Sequence, residues 1–184
     1  MTEQRASMHR AAVISAAFLV GVAGPLQPQQ SYPILFSPDI ANAPAVQDAL
    51  RYIDDHSAEQ VREWIRITEI PAKSEHEERR AAYVRAELEK LGLEVVTDSI
   101  GNVIARRRGT GGGPTVVFAA HMDTVHPTDT DVTVTRRDGR LYAPGVYDNS
   151  ASVANMLSAA RALHAAGMRT RGDTISCSRR GTHP

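Results

Sequence analysis

Two short stretches concentrate side chains able to do chemistry. The first is Ala120-His121-Met122-Asp123-Thr124-Val125. His121 and Asp123 are two residues apart, so in an extended segment both project to one side. A neutral imidazole is a good zinc ligand, and a carboxylate on its other ring nitrogen fixes tautomer and orientation. The second stretch is Gly145-Val146-Tyr147-Asp148-Asn149-Ser150. The two oxygens of a carboxylate such as Asp148 could bridge two cations a few ångströms apart. Each stretch also has a plainer reading. His-x-Asp pairs are common on protein surfaces, and Asp148 or Asn149 is of a type that caps a following helix.

Regular elements must position these residues. Pro44 is placed to start a helix in which Val46, Leu50 and Ile53 recur at helical spacing. Ser57 with Gln60 forms a capping-box pattern ahead of a second helix carrying Val61, Trp64, Ile65 and Thr68, ended by Pro71. Ser74 with Glu77 repeats the pattern before a third helix through Leu91, closed by Gly92. Charged residues cover much of that helix, as expected of a surface element. Strands are predicted at 93–97, 102–106 and 115–120. The last is almost wholly apolar, which predicts cover on both faces, and it ends at His121, where open α/β sheets bind ligands. Asp138-Gly139 between residues 132–135 and 141–143 predicts a hairpin. Residues 150–166 form an Ala-rich helical pattern with Val153, Leu157, Ala160 and His164 on one stripe and Gly167 after it. His164 there reads as a packing or surface histidine. The glycines of 109–113 precede a strand and include no phosphate-loop lysine, so they read as a flexible turn. Helices, then strands, then a helix predict an α/β fold with helices packed on a mixed, mostly parallel sheet.

Taken together, the pattern is more specific than its parts. A strand, His-Met-Asp-Thr-Val, a hairpin, Leu-Tyr-Ala-Pro-Gly and then Asp-Asn at a helix start resembles the aminoacylase, tripeptidase T and glutamate carboxypeptidase family of co-catalytic zinc hydrolases. Ile70-Pro71-Ala72-Lys73-Ser74 and Asp98 with Gly101-Asn102-Val103 agree with it, and the likeness runs over about residues 45–173. The resemblance implies that His121 binds one zinc, Asp148 bridges two, and Asp123 serves catalysis by orienting His121. It implies a peptide or N-acyl amino acid substrate, and a lid domain that is expected to be absent from these residues. Asn149 stands where many relatives carry a second acid or a lysine.

The resemblance also calls for a Glu-Glu pair after the next strand, the first Glu acting as general base and the second as ligand. No Glu follows Glu94, and the last acidic residue is Asp173. The chain is therefore expected to be a catalytic domain cut short at about residue 173, with weak or no zinc binding alone. Residues 174–184, Thr-Ile-Ser-Cys-Ser-Arg-Arg-Gly-Thr-His-Pro, form an anomalous tail that is not expected to fill a central sheet position. Codons compatible with residues 175–180, read one frame over, encode Leu-Val-Phe-Ala-Ala, so a frameshift is one origin for it. The alternative function is a non-catalytic exported binding or structural module. A mononuclear metal module would need His126 or Asp129 as third ligand.

The 21 basic and 21 acidic residues cancel, which leaves no basic excess to attract nucleic acid. The one basic run, Arg106-Arg107-Arg108, reads as a solvated strand end. At 42% hydrophobic and 23% charged, the composition is that of a globular chain. Arg5, His9 and Arg10 precede an apolar run at 11–23, which is too short to span a bilayer but suits a signal peptide at 1–23. The chain is thus expected to be secreted or periplasmic, without a stable membrane anchor once the signal is cleaved. Residues 24–43 read as a linker, and the single Cys177 excludes an intrachain disulfide.

Overall fold

In the computed structural model, residues 37–179 and residue 181 are described. The expected signal peptide and most of the linker lie outside these residues. The end of that linker holds a helical turn, α1 (Pro38–Ala41), capped by Ser37 Oγ, which accepts from the Ile40 amide. Pro44 opens α2 (Pro44–Asp55) as expected, and His56 separates it from α3 (Ser57–Thr68). Neither expected capping box forms. Ser57 is already the first residue of α3, and α4 (Glu78–Glu89) starts after Glu77 with no side-chain cap bond. No helix among the described residues is long and apolar enough to cross a membrane.

Four strands form the main sheet in the order β1 (Glu94–Thr97), β2 (Val103–Arg107), β6 (Thr174–Arg179), β3 (Val116–His121). The sheet is mixed: β3 runs parallel to β6, while β1–β2 and β2–β6 are antiparallel. A separate hairpin joins β4 (Thr135–Arg137) to β5 (Arg140–Tyr142). Its turn residues Asp138 and Gly139 have φ of 50° and 73°, as the Asp-Gly signal requires. The Ala-rich stretch forms α5 (Ser152–Ala165), with Gly167 left-handed just beyond it.

The register assigns the faces. Val95, Ala105, Ser176 and Phe118 share a row, as do Thr97, Val103, Ser178 and Ala120, and all point to the side packed by α4 and α5. Val103, Ala105 and Ala120 on that side join Ile67, Val84, Leu88, Val153 and Leu157 in the core. The opposite rows include Val96 and Val117, which remain exposed, Val117 at 57%. The expected cover on both faces of β3 is therefore absent among the described residues: β3 is an edge strand in which only Ala120 is buried, and Phe118 on the helix-facing side is still 42% exposed.

The expectation for the tail is corrected in part. Residues 174–179 do fill a central strand, because β6 needs only a backbone ladder to β2 and β3 and finds one on each side. The β2–β3 loop guides it in. The Thr110 and Gly111 amides donate to the Thr170 and Arg171 carbonyls, and the Gly109 amide donates to Asp173 Oδ1 at 2.8 Å. The basic run is largely neutralised, since Arg106 pairs with Asp173 and Arg108 with Glu94.

Candidate functional site

The site begins where β3 ends. Beyond His121 the chain stays extended and is clasped from two sides. The Met122 amide donates to the Arg179 carbonyl at 2.8 Å, and the Thr124 amide donates to Ala72 at 2.7 Å. The Ser74 amide returns a bond to the Thr124 carbonyl at 3.2 Å, so residues 72–74 run beside 122–124 as a short parallel bridge. The alternation predicted for His121 and Asp123 follows from this extension.

Asp148 arrives from the other side. Gly145 sits at φ 71°, and a β-carbon there would lie 2.6 Å from the Thr124 side-chain methyl Cγ2, so the left-handed backbone and this close approach to Thr124 both favour glycine. The Trp64 indole N–H donates to the Val146 carbonyl and ties the wide turn at Val146–Ala151 to α3. Inside that turn the Asp148 and Asn149 backbones are non-helical and the peptide between them is cis. No side chain caps the start of α5, so the capping reading of Asp148 is not the one its side chain follows.

The three residues singled out by sequence come together. His121 Nε2 lies 2.9 Å from Asp148 Oδ1, and His121 Nδ1 lies 2.9 Å from Asp123 Oδ1. Asp123 is 2% exposed whereas the Asp148 side chain is 79% exposed. Ser74 Oγ donates to Asp123 Oδ2 at 2.6 Å. Burial pushes the Asp123 carboxyl up, but the bonds from Ser74 and His121 outweigh it and hold the group below its ordinary value. A cavity of about 420 Å³ opens over the pair, lined also by Val125, His126 and Tyr147.

As a zinc site this donor set fits in its supporting shell and falls short in number. An imidazole whose far nitrogen is held by a buried carboxylate is the usual second-shell arrangement of a zinc histidine. Structural and catalytic zinc normally takes three or four protein ligands. Among the described residues, no group of three or more His, Cys, Asp and Glu side chains is placed to hold a metal. His126 shares the cavity and Asp129 does not line it, so the mononuclear reading finds no third ligand there.

Sequence reasoning missed one supporting residue. Ser74 was assigned to a helix cap, and its hydroxyl serves Asp123 instead. Asp98, singled out with Gly101 and Asn102, shapes the β1–β2 turn: its Oδ1 accepts from the Ile100 and Asn102 amides.

An imidazole and two carboxylates are thus gathered at the carboxyl end of a strand in an α/β sheet. Residues 117–177 match Peptidase family M20/M25/M40, and the resemblance drawn from the residues is thereby shown. The chain is 36% identical over 108 residues to the LysW-lysine hydrolase of Deinococcus radiodurans, covering 58% of this chain and 28% of that protein. It is 31% identical over 108 residues to the cysteinylglycine-S-conjugate dipeptidase of Corynebacterium striatum, covering 53% and 24% respectively. The fold matches human carnosine dipeptidase 1 with a TM-score of 0.62 at 22% identity, over 72% of this chain and 34% of that one. The chain spans about a quarter of the length of these two sequence relatives.

Proposed function

We propose that this chain is the N-terminal part of a zinc-dependent metallopeptidase or amidohydrolase acting on the amide bond of a peptide or N-acyl amino acid. The single observation that carries the reading is His121 held between Asp123 and Asp148, each at 2.9 Å, at the mouth of a cavity. In that role His121 and Asp148 are metal ligands and Asp123 keeps the imidazole turned toward the metal. Zinc held by a full ligand set polarises an amide carbonyl and lowers the pKa of a bound water. With two ligands gathered and no glutamate after Glu94 to act as base, the chain alone is proposed to bind zinc weakly and to turn over no substrate. The relatives named as a hydrolase and a dipeptidase support the reaction class and leave the choice of amide open.

Calorimetric zinc titration of the full chain, followed by assays on dipeptides and N-acyl amino acids, tests this reading. Weak zinc binding that His121→Ala abolishes, without turnover, is the expected result. Zinc binding unchanged by both His121→Ala and Asp148→Ala would sink it. Resequencing the gene from the codon for Gly172 past that for Pro184 tests the frameshift reading, and an unbroken frame ending in a genuine stop would sink that part. Secretion through residues 1–23 remains part of the proposal, tested by the N-terminal sequence of protein recovered outside the cytoplasm.

A further inference from the structure

Among the described residues Arg80 is the largest fully buried side chain, 1% exposed on α4, and it does not line the candidate site. Its guanidinium reaches three main-chain carbonyls. Nη1 donates to Met122 at 2.7 Å, and Nη2 donates to Ile70 at 2.7 Å and to Thr68 at 3.4 Å. Thr68 is the last residue of α3, so its carbonyl is one that the helix itself leaves without a partner. A cation there also complements the negative end of the helix. Met122 is the residue between His121 and Asp123.

One planar fork therefore joins the end of α3, the start of the 70–74 segment and the middle of the ligand-bearing segment. The carboxylates of Asp123 and Glu77 act on Arg80, and burial, the largest influence, still lowers its pKa to about 10, so it remains a cation at neutral pH. Glu77, itself 1% exposed, accepts from the Glu75 amide at 2.9 Å and the Gly181 amide at 3.1 Å. Burying a guanidinium is costly unless its donors are used. Here Nη1 and Nη2 are used on the carbonyls that flank the His121–Asp123 segment, while Nε is buried without a partner.

We infer that Arg80 is a positioning residue for the candidate site: it fixes the His121–Asp123 segment by holding the Met122 carbonyl against those of Ile70 and Thr68. The importance of that segment rests on the zinc-hydrolase reading, but the positioning does not. Lysine would not reproduce it, because an ammonium lacks the flat two-nitrogen fork that spans separate carbonyls.

The test is native-state amide hydrogen exchange on the full chain, with Arg80→Met and Arg80→Lys compared with Leu88→Ala, a fully buried residue of the same helix. The amides of Met122, Thr124 and Ser74 report the segment, because each closes one of its bonds. In Arg80→Met these three are expected to lose protection about ten- to a hundredfold beyond the loss shared by β1 and β2 amides. Arg80→Lys is expected to show a smaller selective loss, and it serves alone if the Met variant does not fold. Leu88→Ala is expected to lower all amides by a common factor. A common factor in the Arg80 variants as well would overturn the inference. Zinc titration of the same proteins separates the two claims. A wild type with a protected segment and zinc binding indifferent to His121 would end the zinc reading and leave the role of Arg80 standing. Selective loss absent from both Arg80 variants would end that role whatever zinc does.

Discussion

Asp123→Asn is the substitution that most directly probes how the site is held. Asp123 is almost fully buried and receives a hydrogen bond from Ser74 Oγ at 2.6 Å and another from His121 Nδ1 at 2.9 Å. Asparagine keeps the shape and removes the charge. It also offers one oxygen instead of two, so one neighbour meets an N–H₂ group in place of an acceptor. Bonds to an ionised group contribute about 1.5–3 kcal/mol each and neutral ones about 0.5–1.5, so converting both costs about 2–3 kcal/mol. Urea unfolding of wild type and variant at pH 7 reads this difference directly. The pH dependence has a definite sign. The folded pKa of Asp123 lies below its ordinary value, so its contribution is complete above an unfolded value of about 3.9. That contribution is lost as pH falls through the folded value, and the gap between wild type and Asn variant should close there. A gap below about 0.5 kcal/mol at pH 7, or one that widens on acidification, would refute the reasoning.

Two further substitutions test the frame around the site. Ser178 is fully buried on the helix-facing side of β6 with its hydroxyl unpartnered, so Ser178→Ala should stabilise by about 1 kcal/mol and raise the Tm by about 2–4 °C. A calorimetric Tm equal to or below that of wild type would show that the hydroxyl is satisfied. Arg161 bonds Glu63 at 2.6 Å and Glu87 at 2.8 Å, and removing it from the buried Glu63 should cost about 3 kcal/mol in urea unfolding. Adding Glu63→Gln to Arg161→Met should recover part of that loss.

What the sequence made legible was the part governed by local pattern. The Asp-Gly hairpin, the Ala-rich helix and the extended His121–Asp123 pair each follow from nearest neighbours, and each is found. Residues that act on distant backbone were misread. The charges on α4 pointed to a surface helix, yet Arg80 is buried, because carbonyls at Thr68, Ile70 and Met122 lie within its reach, and Glu77 just before the helix is buried where it accepts from the Glu75 and Gly181 amides. Ser74 matched a capping box equally well in type and spacing, and only the fold reveals Asp123 as its acceptor. Glu63 and Arg161 are 98 positions apart, a separation at which charge pattern carries no signal. Leu50 fell on the predicted apolar stripe of α2 but is exposed, because the face that packs on α5 is the one carrying Ala49.

Strand β6 shows why a completed sheet and a completed site are separate matters. A strand is admitted to a sheet by its backbone N–H and C=O groups, and β6 offers these to β2 and β3 whatever its side chains are. Ser176 and Ser178 then occupy helix-facing rows where apolar groups would pack, and the Ser178 hydroxyl is left buried without a partner. The ladder can carry that loss, since one unsatisfied hydroxyl costs about 1–3 kcal/mol. A metal site has no such tolerance, because each ligand must be a particular atom type at a particular place. At the carboxyl end of β6 the register sets Arg179 beside His121. A guanidinium there adds positive charge at the strand ends where two zinc ions are proposed to sit, and it donates no lone pair. The β3–β6 ladder thus fixes where His121 stands without regard to the side chains of β6, whereas a metal there would need ligand atoms that a backbone ladder does not supply.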